Sequence, residues 1–187
     1  YIGLPGVNAP FRGWKLTNFE GGLRVPIFVK WPSRIEHGTR IDKPAAHIDL
    51  MPTMAAAAGA ALPSGVEIDG RDLLPLATGE GAEAWSRDTL FWQSGYYRVV
   101  RHGDWKLQVS DNPDKAWLYN LAEDPTEQNN LAAVRADKLG ELKALLDAHR
   151  ASARKPLYPY VAEMPVAIDK TLAERFENGD EYIYWPN

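Results

Sequence analysis

Four short runs of aromatic and β-branched residues, separated by turn residues, constrain the fold of this chain more than any other feature. The runs are Thr89–Trp92, Tyr96–Val100, Trp105–Val109 and Trp117–Leu121. Ser94-Gly95 and His102-Gly103-Asp104 separate the first three runs, and residues of these types are typical of tight turns. The spacing therefore predicts a four-stranded antiparallel meander with short hairpin connections.

An amphipathic helix is predicted after these strands. Its apolar positions fall on one face and its charged positions on the others; the first set is Leu139, Leu142, Leu145, Leu146 and His149. A small sheet and a single helix each need the other to bury an apolar face. Residues 85–154 are therefore predicted to form a small α+β subdomain.

The aromatic side chains of the predicted strands have two interpretations. They are Trp92, Tyr96, Tyr97, Trp105, Trp117 and Tyr119. Such residues usually form the core between a sheet and its covering helix, and this interpretation is favoured over a sugar-stacking surface.

Residues 155–187 are predicted to be an irregular tail, because Pro156, Pro159 and Pro165 interrupt any pattern. The tail ends in an aromatic cluster of Tyr182, Tyr184 and Trp185. Such a cluster could cover the mouth of an active site or a neighbouring subunit of a homo-oligomer.

Residues 1–84 have a different character. The apolar run from Val25 to Trp31, bounded by prolines, predicts a strand buried on both faces. Asp49 is a suitable N-cap for a helix over 50–58, and Gly59 is a suitable stop. A further turn is predicted at 72–76. The first ten residues are rich in Gly and Pro and lack an initiator Met, which is typical of an internal loop of a longer protein.

Composition excludes several classes of protein. Of the 187 residues, 45% are hydrophobic and 25% charged, which is typical of a globular protein with a core. The net charge of −4 does not favour a nucleic-acid partner. No apolar run approaches the ~20 residues of a membrane span. The absence of cysteine excludes disulfides and thiolate metal sites within this chain.

The chemistry suggested by residues 13–26 is anion binding. Lys15 provides a compact positive charge, and Gly21-Gly22 follow shortly after it. Adjacent glycines allow a tight turn or a close approach of the backbone to another group. This run predicts an anion-handling loop that leads into the strand at 25–31.

Six ordered motifs over residues 12–131 resemble the type I sulfatases of the alkaline phosphatase superfamily. They are K-L-T-N-F-E-G-G-L-R-V-P at 15–26 with W-P at 31–32, D-L-M-P-T at 49–53, D-G-R-D-L-L-P-L at 69–76, W-K-L at 105–107, L-Y-N-L at 118–121 and D-P-T-E-Q-N-N-L at 124–131. Their order and spacing make the resemblance specific.

The resemblance implies an α/β fold in which residues 1–84 close the catalytic domain, followed by the subdomain at 85–154. It also implies hydrolysis of sulfate esters by a formylglycine beside a divalent cation, usually Ca²⁺. Both groups are expected upstream, in the N-terminal remainder of the enzyme, so no residue of this chain is expected to bind metal and the chain alone is expected to be inactive. The sequence K-W-P-S-R at 30–34 is not a formylglycine motif, because Lys30 occupies the position of the required Cys or Ser.

Within this chain, the resemblance assigns Lys15 to the substrate sulfate, and Trp14 could form a wall of the pocket. Glu20 and Arg24 are interpreted as structural, paired with each other or with loop backbone. None of the four histidines needs a catalytic role, because the catalytic histidines of the family lie upstream.

Two alternatives remain open. The first is a phosphate or phosphonate monoester hydrolase on the same scaffold, since Lys15 suits any tetrahedral anion. The second is a non-catalytic carbohydrate-binding or assembly module built on the aromatic sheet.

Overall fold

The computed structural model describes residues 8–83, 85–155, 157, 163–171 and 173–186. The helices are α1 (Glu20–Leu23), α2 (Leu50–Ala57), α3 (Leu74–Thr78) and α4 (Ala136–Ser152). The strands are β1 (Thr89–Ser94), β2 (Tyr97–His102), β3 (Trp105–Asp111), β4 (Asp114–Asn120), β5 (Glu163–Ala167) and β6 (Tyr182–Pro186). None of the helices in these residues has the length and apolar character needed to cross a membrane.

The described residues belong to two compact units. Unit 1 combines the residues before Ile27 with those from Asp88 onward, and unit 2 is Ile27–Arg87. The domain boundaries predicted at 84/85 and 154/155 stay predictions.

The four-stranded sheet of unit 1 confirms the predicted meander. Its strands are antiparallel in the order β1-β2-β3-β4. Leu107 in the middle of β3 lies opposite Val100 on one side and Leu118 on the other. All three are fully buried on one face of the sheet.

Helix α4 covers that face, as the leucine spacing predicts. Leu142 and Leu146 pack against the three buried strand residues. His149 is exposed, but its ring stacks on Phe91 with the ring centroids 4.1 Å apart and the planes at 2°. The pattern of apolar positions therefore identified the packed side of the helix.

The aromatic core lies on the opposite face of the sheet. Its strand residues are Tyr97, Trp117 and Tyr119, all buried. They pack against Trp14 and Phe19 and against three aliphatic side chains from the end of the chain, Val166, Ile168 and Ile183. A core role is thus confirmed for these aromatics, but the predicted position under the helix is wrong for them. The fully buried side chains under the helix are aliphatic, and Trp105 packs beside them, partly buried, as predicted for it.

The prediction of an irregular tail is also wrong. Strands β5 and β6 pair antiparallel, with Val166 opposite Ile183. The backbone N–H of Tyr184 donates a hydrogen bond of 2.7 Å to the hydroxyl of Tyr97 on β2. Burial of Val166 and Ile183 in the aromatic core stabilises this hairpin despite Pro165. A role for Tyr182 and Tyr184 at an active-site mouth or subunit contact stays a prediction.

Unit 2 contains α2 and α3. A 3₁₀ turn, His47–Asp49, precedes α2, and Gly59 follows it with a φ of +65°, as expected for a helix stop. Asp49 occupies the predicted N-cap position, but its side chain does not cap α2. Its carboxylate instead accepts hydrogen bonds from the backbone N–H groups of Ala46 and Arg71 and pairs with Arg87.

The predicted strand at 25–31 is wrong. These residues have no regular structure, and Phe28 is 90% exposed. A buried strand needs neighbours for its backbone N–H and C=O groups. The two sheets in the described part of the chain consist of β1–β4 and β5–β6, and neither pairs with this run.

Candidate functional site

Lys15 lies at the exposed corner of a tight turn. The N–H of Thr17 donates to the carbonyl oxygen of Trp14 at 3.0 Å, which closes a β-turn over four residues. Leu16 has a φ of +85°, so the turn has the backbone pattern of type II. Glycine is usual at that position, and a leucine there is strained. The surrounding contacts must therefore hold this turn in place.

The side chain of Thr17 forms two hydrogen bonds with the backbone of the turn. Its hydroxyl accepts a hydrogen bond of 3.1 Å from the N–H of Trp14 and donates one of 2.8 Å to the carbonyl oxygen of Trp14. The Thr17 side chain is buried. One hydroxyl thus satisfies both polar groups of the residue before Lys15, which restricts the movement of the turn.

Trp14 supports the turn from the core. It is 2% exposed, and its indole N–H donates to the carbonyl oxygen of Ala167 at 3.4 Å. This burial gives Trp14 a structural role in unit 1. Its role as a wall of the substrate pocket stays a prediction that the burial does not favour.

The two glycines of α1 lie directly against this turn. The N–H of Gly21 donates to the carbonyl oxygen of Arg12 at 2.7 Å. A Cβ on Gly22 would lie 2.1 Å from the carbonyl oxygen of Thr17. The close approach of backbone predicted from the glycine pair is therefore made to the loop that carries Lys15.

Beneath α1 lies a buried cluster of three ionised side chains, called here the Lys106 triad: Glu20, Lys106 and Glu127. The ammonium group of Lys106 is 2.9 Å from Glu20 Oε1 and 2.9 Å from Glu127 Oε1. Glu127 is completely buried and also accepts a hydrogen bond of 2.5 Å from the backbone N–H of Glu20. Burial raises the pKa of the Glu127 carboxyl, and the charge of Lys106 opposes that rise.

No pattern in the sequence relates these three residues to one another. Glu20 pairs with Lys106 and not with Arg24, whose guanidinium lies 4.7 Å from the centre of the Phe11 ring. Lys106 and Glu127 lie 86 and 107 positions after Glu20 along the chain. One feature of the sequence does indicate an ion pair at Lys106. The residue lies inside a strand between Trp105 and Leu107, and lysines are almost never fully buried unless they are paired.

A second polar cluster joins residue 12 to the end of the chain. The Arg12 guanidinium binds Asp169 at 2.9 and 2.7 Å and pairs with Glu181. Glu181 also pairs with Lys115. Burial acts to raise the pKa of the Glu181 carboxyl, but Lys115 and Arg12 outweigh it and hold that pKa below its ordinary value. With two cations and two carboxylates, this cluster is balanced and serves to fasten the hairpin of β5 and β6.

Unit 2 has an open cleft of about 270 Å³. Its lining includes Trp31, Arg34 and Asp72. Arg34 pairs with Glu80 at 3.6 Å and lies 5.5 Å from the centre of the Trp31 ring. None of the predicted site residues lines this cleft.

The described residues contain no group of three or more histidine, cysteine or acidic side chains arranged to hold a metal ion. His37 and His47 are exposed. The Nδ1 atom of His102 lies 2.7 Å from the hydroxyl of Thr89, which joins neighbouring strands. The geometry gives these histidines positions on the surface or in a strand pair.

Known proteins share much of this sequence. The family model described as N-sulphoglucosamine sulphohydrolase, C-terminal, matches residues 13–154. Steryl-sulfatase of Homo sapiens is 37% identical over 129 residues, which cover 69% of this chain and 22% of that protein. Arylsulfatase A of Bos taurus is 35% identical over 153 residues, which cover 67% of this chain and 29% of that protein. The chain thus spans less than a third of the length of these relatives.

Solved structures share the fold. One, from work on the metabolism of multiple glycosaminoglycans by Bacteroides thetaiotaomicron, has a TM-score of 0.61 and 25% identity, covering 75% of this chain and 32% of that chain. The crystal structure of Ps i-CgsB has a TM-score of 0.68 and 24% identity, covering 81% of this chain and 34% of that chain. The second likeness concerns the fold alone.

Proposed function

Because the chain belongs to the family of N-sulphoglucosamine sulphohydrolase C-terminal domains, we propose that it is the closing part of a sulfatase, an enzyme that hydrolyses sulfate esters. Relatives named steryl-sulfatase and arylsulfatase A support the reaction class. In this proposal Lys15 contacts the sulfate group of the substrate.

The observation that carries this proposal is the position of Lys15 on a braced turn. The residue is exposed, while Trp14 and Thr17 on either side of the turn are buried. A cation held by a rigid backbone does not have to reorganise when negative charge builds up on sulfate oxygens. Its attraction therefore stabilises the transition state more than an ammonium on a mobile loop would.

The formylglycine and the divalent cation implied by the resemblance do not fit the residues present. The chain has no cysteine and none of its serines begins the sequence S-x-P-x-R, and its described part has no cluster of acidic side chains for a cation. We therefore derive no step through either group. In the proposal both belong to the rest of the longer enzyme, and this chain contributes one binding charge and the scaffold beneath it.

The test is the substrate preference of the longest natural protein that contains this chain. We expect p-nitrophenyl sulfate to be hydrolysed with a kcat/KM at least about tenfold above that for p-nitrophenyl phosphate, a difference of about 1.4 kcal/mol in transition-state binding. The reverse preference would indicate a phosphate or phosphonate monoester hydrolase. Glycan binding without hydrolysis of either ester would indicate a non-catalytic module.

A further inference from the structure

We propose that Lys106 and Glu127 are positioning residues that hold Lys15 in the position where it contacts the substrate sulfate. The inference rests on the proposed function and assigns a role to the buried Lys106 triad, which touches no substrate. It follows from three consecutive contacts between the triad and the turn.

The first contact is the ion pairing within the triad. Lys106 is 2% exposed and binds one carboxylate oxygen each of Glu20 and Glu127. Burying three ionised groups is costly, and apolar side chains of similar volume often give a more stable fold. Ion pairs, however, fix the direction of a side chain, which apolar packing does not do as strictly. We therefore expect the triad to fix the position of the Glu20 side chain more than it increases the free energy of unfolding.

The second contact joins the triad to the backbone of α1. Glu20 is the first residue of this helix, and its N–H donates to the carboxylate of Glu127. Its side chain is held by Lys106 at the same time. Two buried groups from distant parts of the chain thus hold the start of α1 through both its backbone and its side chain.

The third contact joins α1 to the turn. Gly21 donates to the carbonyl oxygen of Arg12, and Gly22 lies against the carbonyl oxygens of Trp14 and Thr17. A shift of α1 towards the turn would press these backbones together, and a shift away would break the hydrogen bond from Gly21 to Arg12. A change in the triad should therefore displace Lys15, although Lys106 and Lys15 are 91 positions apart in the numbering.

The test is a double-mutant cycle in the full-length enzyme, using inhibition by inorganic sulfate and the KM for an aryl sulfate as readouts. Lys106→Met should weaken inhibition by sulfate about tenfold when Lys15 is present. In the Lys15→Ala background the same change should weaken it less than about twofold, because the group being positioned is gone. Lys138→Met on α4, which removes a lysine paired with Glu141, is the matched control and should leave both readouts unchanged.

A merely structural role predicts a different pattern. The midpoint of thermal unfolding would fall by the same amount in both backgrounds, and sulfate inhibition would change equally with and without Lys15. That result would overturn the positioning role. If Lys15→Ala alone leaves sulfate inhibition and KM unchanged, the proposed role of Lys15 fails, and the inference fails with it.

Glu127→Gln provides a second variant in case Lys106→Met does not fold. Glutamine keeps the size of the side chain and an oxygen that can accept from the N–H of Glu20, but it removes the charge that faces Lys106. We expect a smaller effect of the same kind, again dependent on Lys15. An effect of equal size in the Lys15→Ala background would contradict the proposal.

Discussion

Gly22 lies so close to Thr17 that a Cβ on the glycine would fall 2.1 Å from the Thr17 carbonyl oxygen. The contact is between backbones, so no flexible side chain can move away to make room. It is the tightest point between α1 and the turn that carries Lys15.

Gly22→Ala should therefore destabilise the folded enzyme. Overpacking of this kind costs about 1–3 kcal/mol, and the midpoint of thermal unfolding should fall accordingly. Catalytic efficiency toward an aryl sulfate should fall as well, because the turn must move away from the added methyl group.

Gly140→Ala is the matched control for that change. Gly140 lies inside α4 and has open space around the position of a Cβ. Alanine favours a helix over glycine by about 1 kcal/mol, so this variant should be slightly more stable and fully active. Equal behaviour of the two alanine variants would contradict the account of Gly22.

A second prediction concerns the buried pair of Asp49 and Arg87 in unit 2. Their side chains are 0% and 4% exposed, and Asp49 also accepts from the N–H groups of Ala46 and Arg71. Asp49→Ala leaves the Arg87 charge buried without its carboxylate. The expected loss is about 3–5 kcal/mol, measured as a lower midpoint of thermal unfolding.

Asp42→Ala serves as the control for this pair. Asp42 binds Arg40 on the surface, where the two side chains are 76% and 84% exposed. Exposed pairs contribute about 0–1 kcal/mol, so the midpoint should hardly change. A comparable fall for Asp42→Ala would show that the loss at Asp49 does not arise from burial.

A third prediction concerns pH. Burial is the largest cause of the raised pKa of Glu127, above its ordinary value of 4.5, while Lys106 lowers it and the neighbouring Glu20 charge adds to the rise. The folded protein therefore keeps the Glu127 proton at pH values where the unfolded chain has lost it. The resulting stabilisation is complete below about pH 4.5 and is lost as pH rises through the folded pKa.

The measurement is the difference in thermal midpoint between the natural protein and Glu127→Gln, followed upward from pH 4.5. Glutamine cannot titrate, so the natural protein should lose stability relative to the variant as pH rises. A difference that stays constant over this range, or changes in the opposite direction, would contradict the raised pKa.

The part of the fold that could be predicted is the part specified by neighbouring residues. The four strands follow from runs of aromatic and β-branched residues and from turn residues such as Gly95 and Gly103, and α4 follows from its leucines. Each of these elements pairs with its neighbour in the chain or packs directly on the sheet. Local patterns are sufficient for such contacts.

The parts that could not be predicted depend on distant partners. Strand β5 contains Pro165, and its partner β6 is not adjacent to it in the sequence. No local pattern therefore predicts this pairing, and the segment is predicted to be a tail. The apolar composition of residues 25–31 predicts a strand. A strand also requires a neighbouring strand to pair with its backbone N–H and C=O groups, and composition does not predict that partner. The Lys106 triad unites three residues that a local pattern cannot relate.

Binding of the substrate sulfate by Lys15 is tested by the kcat/KM of Lys15→Ala toward p-nitrophenyl sulfate in the full-length enzyme. Lys43→Ala, which removes another exposed lysine, is the control and should match the natural protein. Loss of one group that stabilises transition-state charge costs about 10²–10³-fold, and we predict a fall of this size for Lys15→Ala. A kcat/KM equal to that of the Lys43→Ala control, with the protein folded, would contradict the claim.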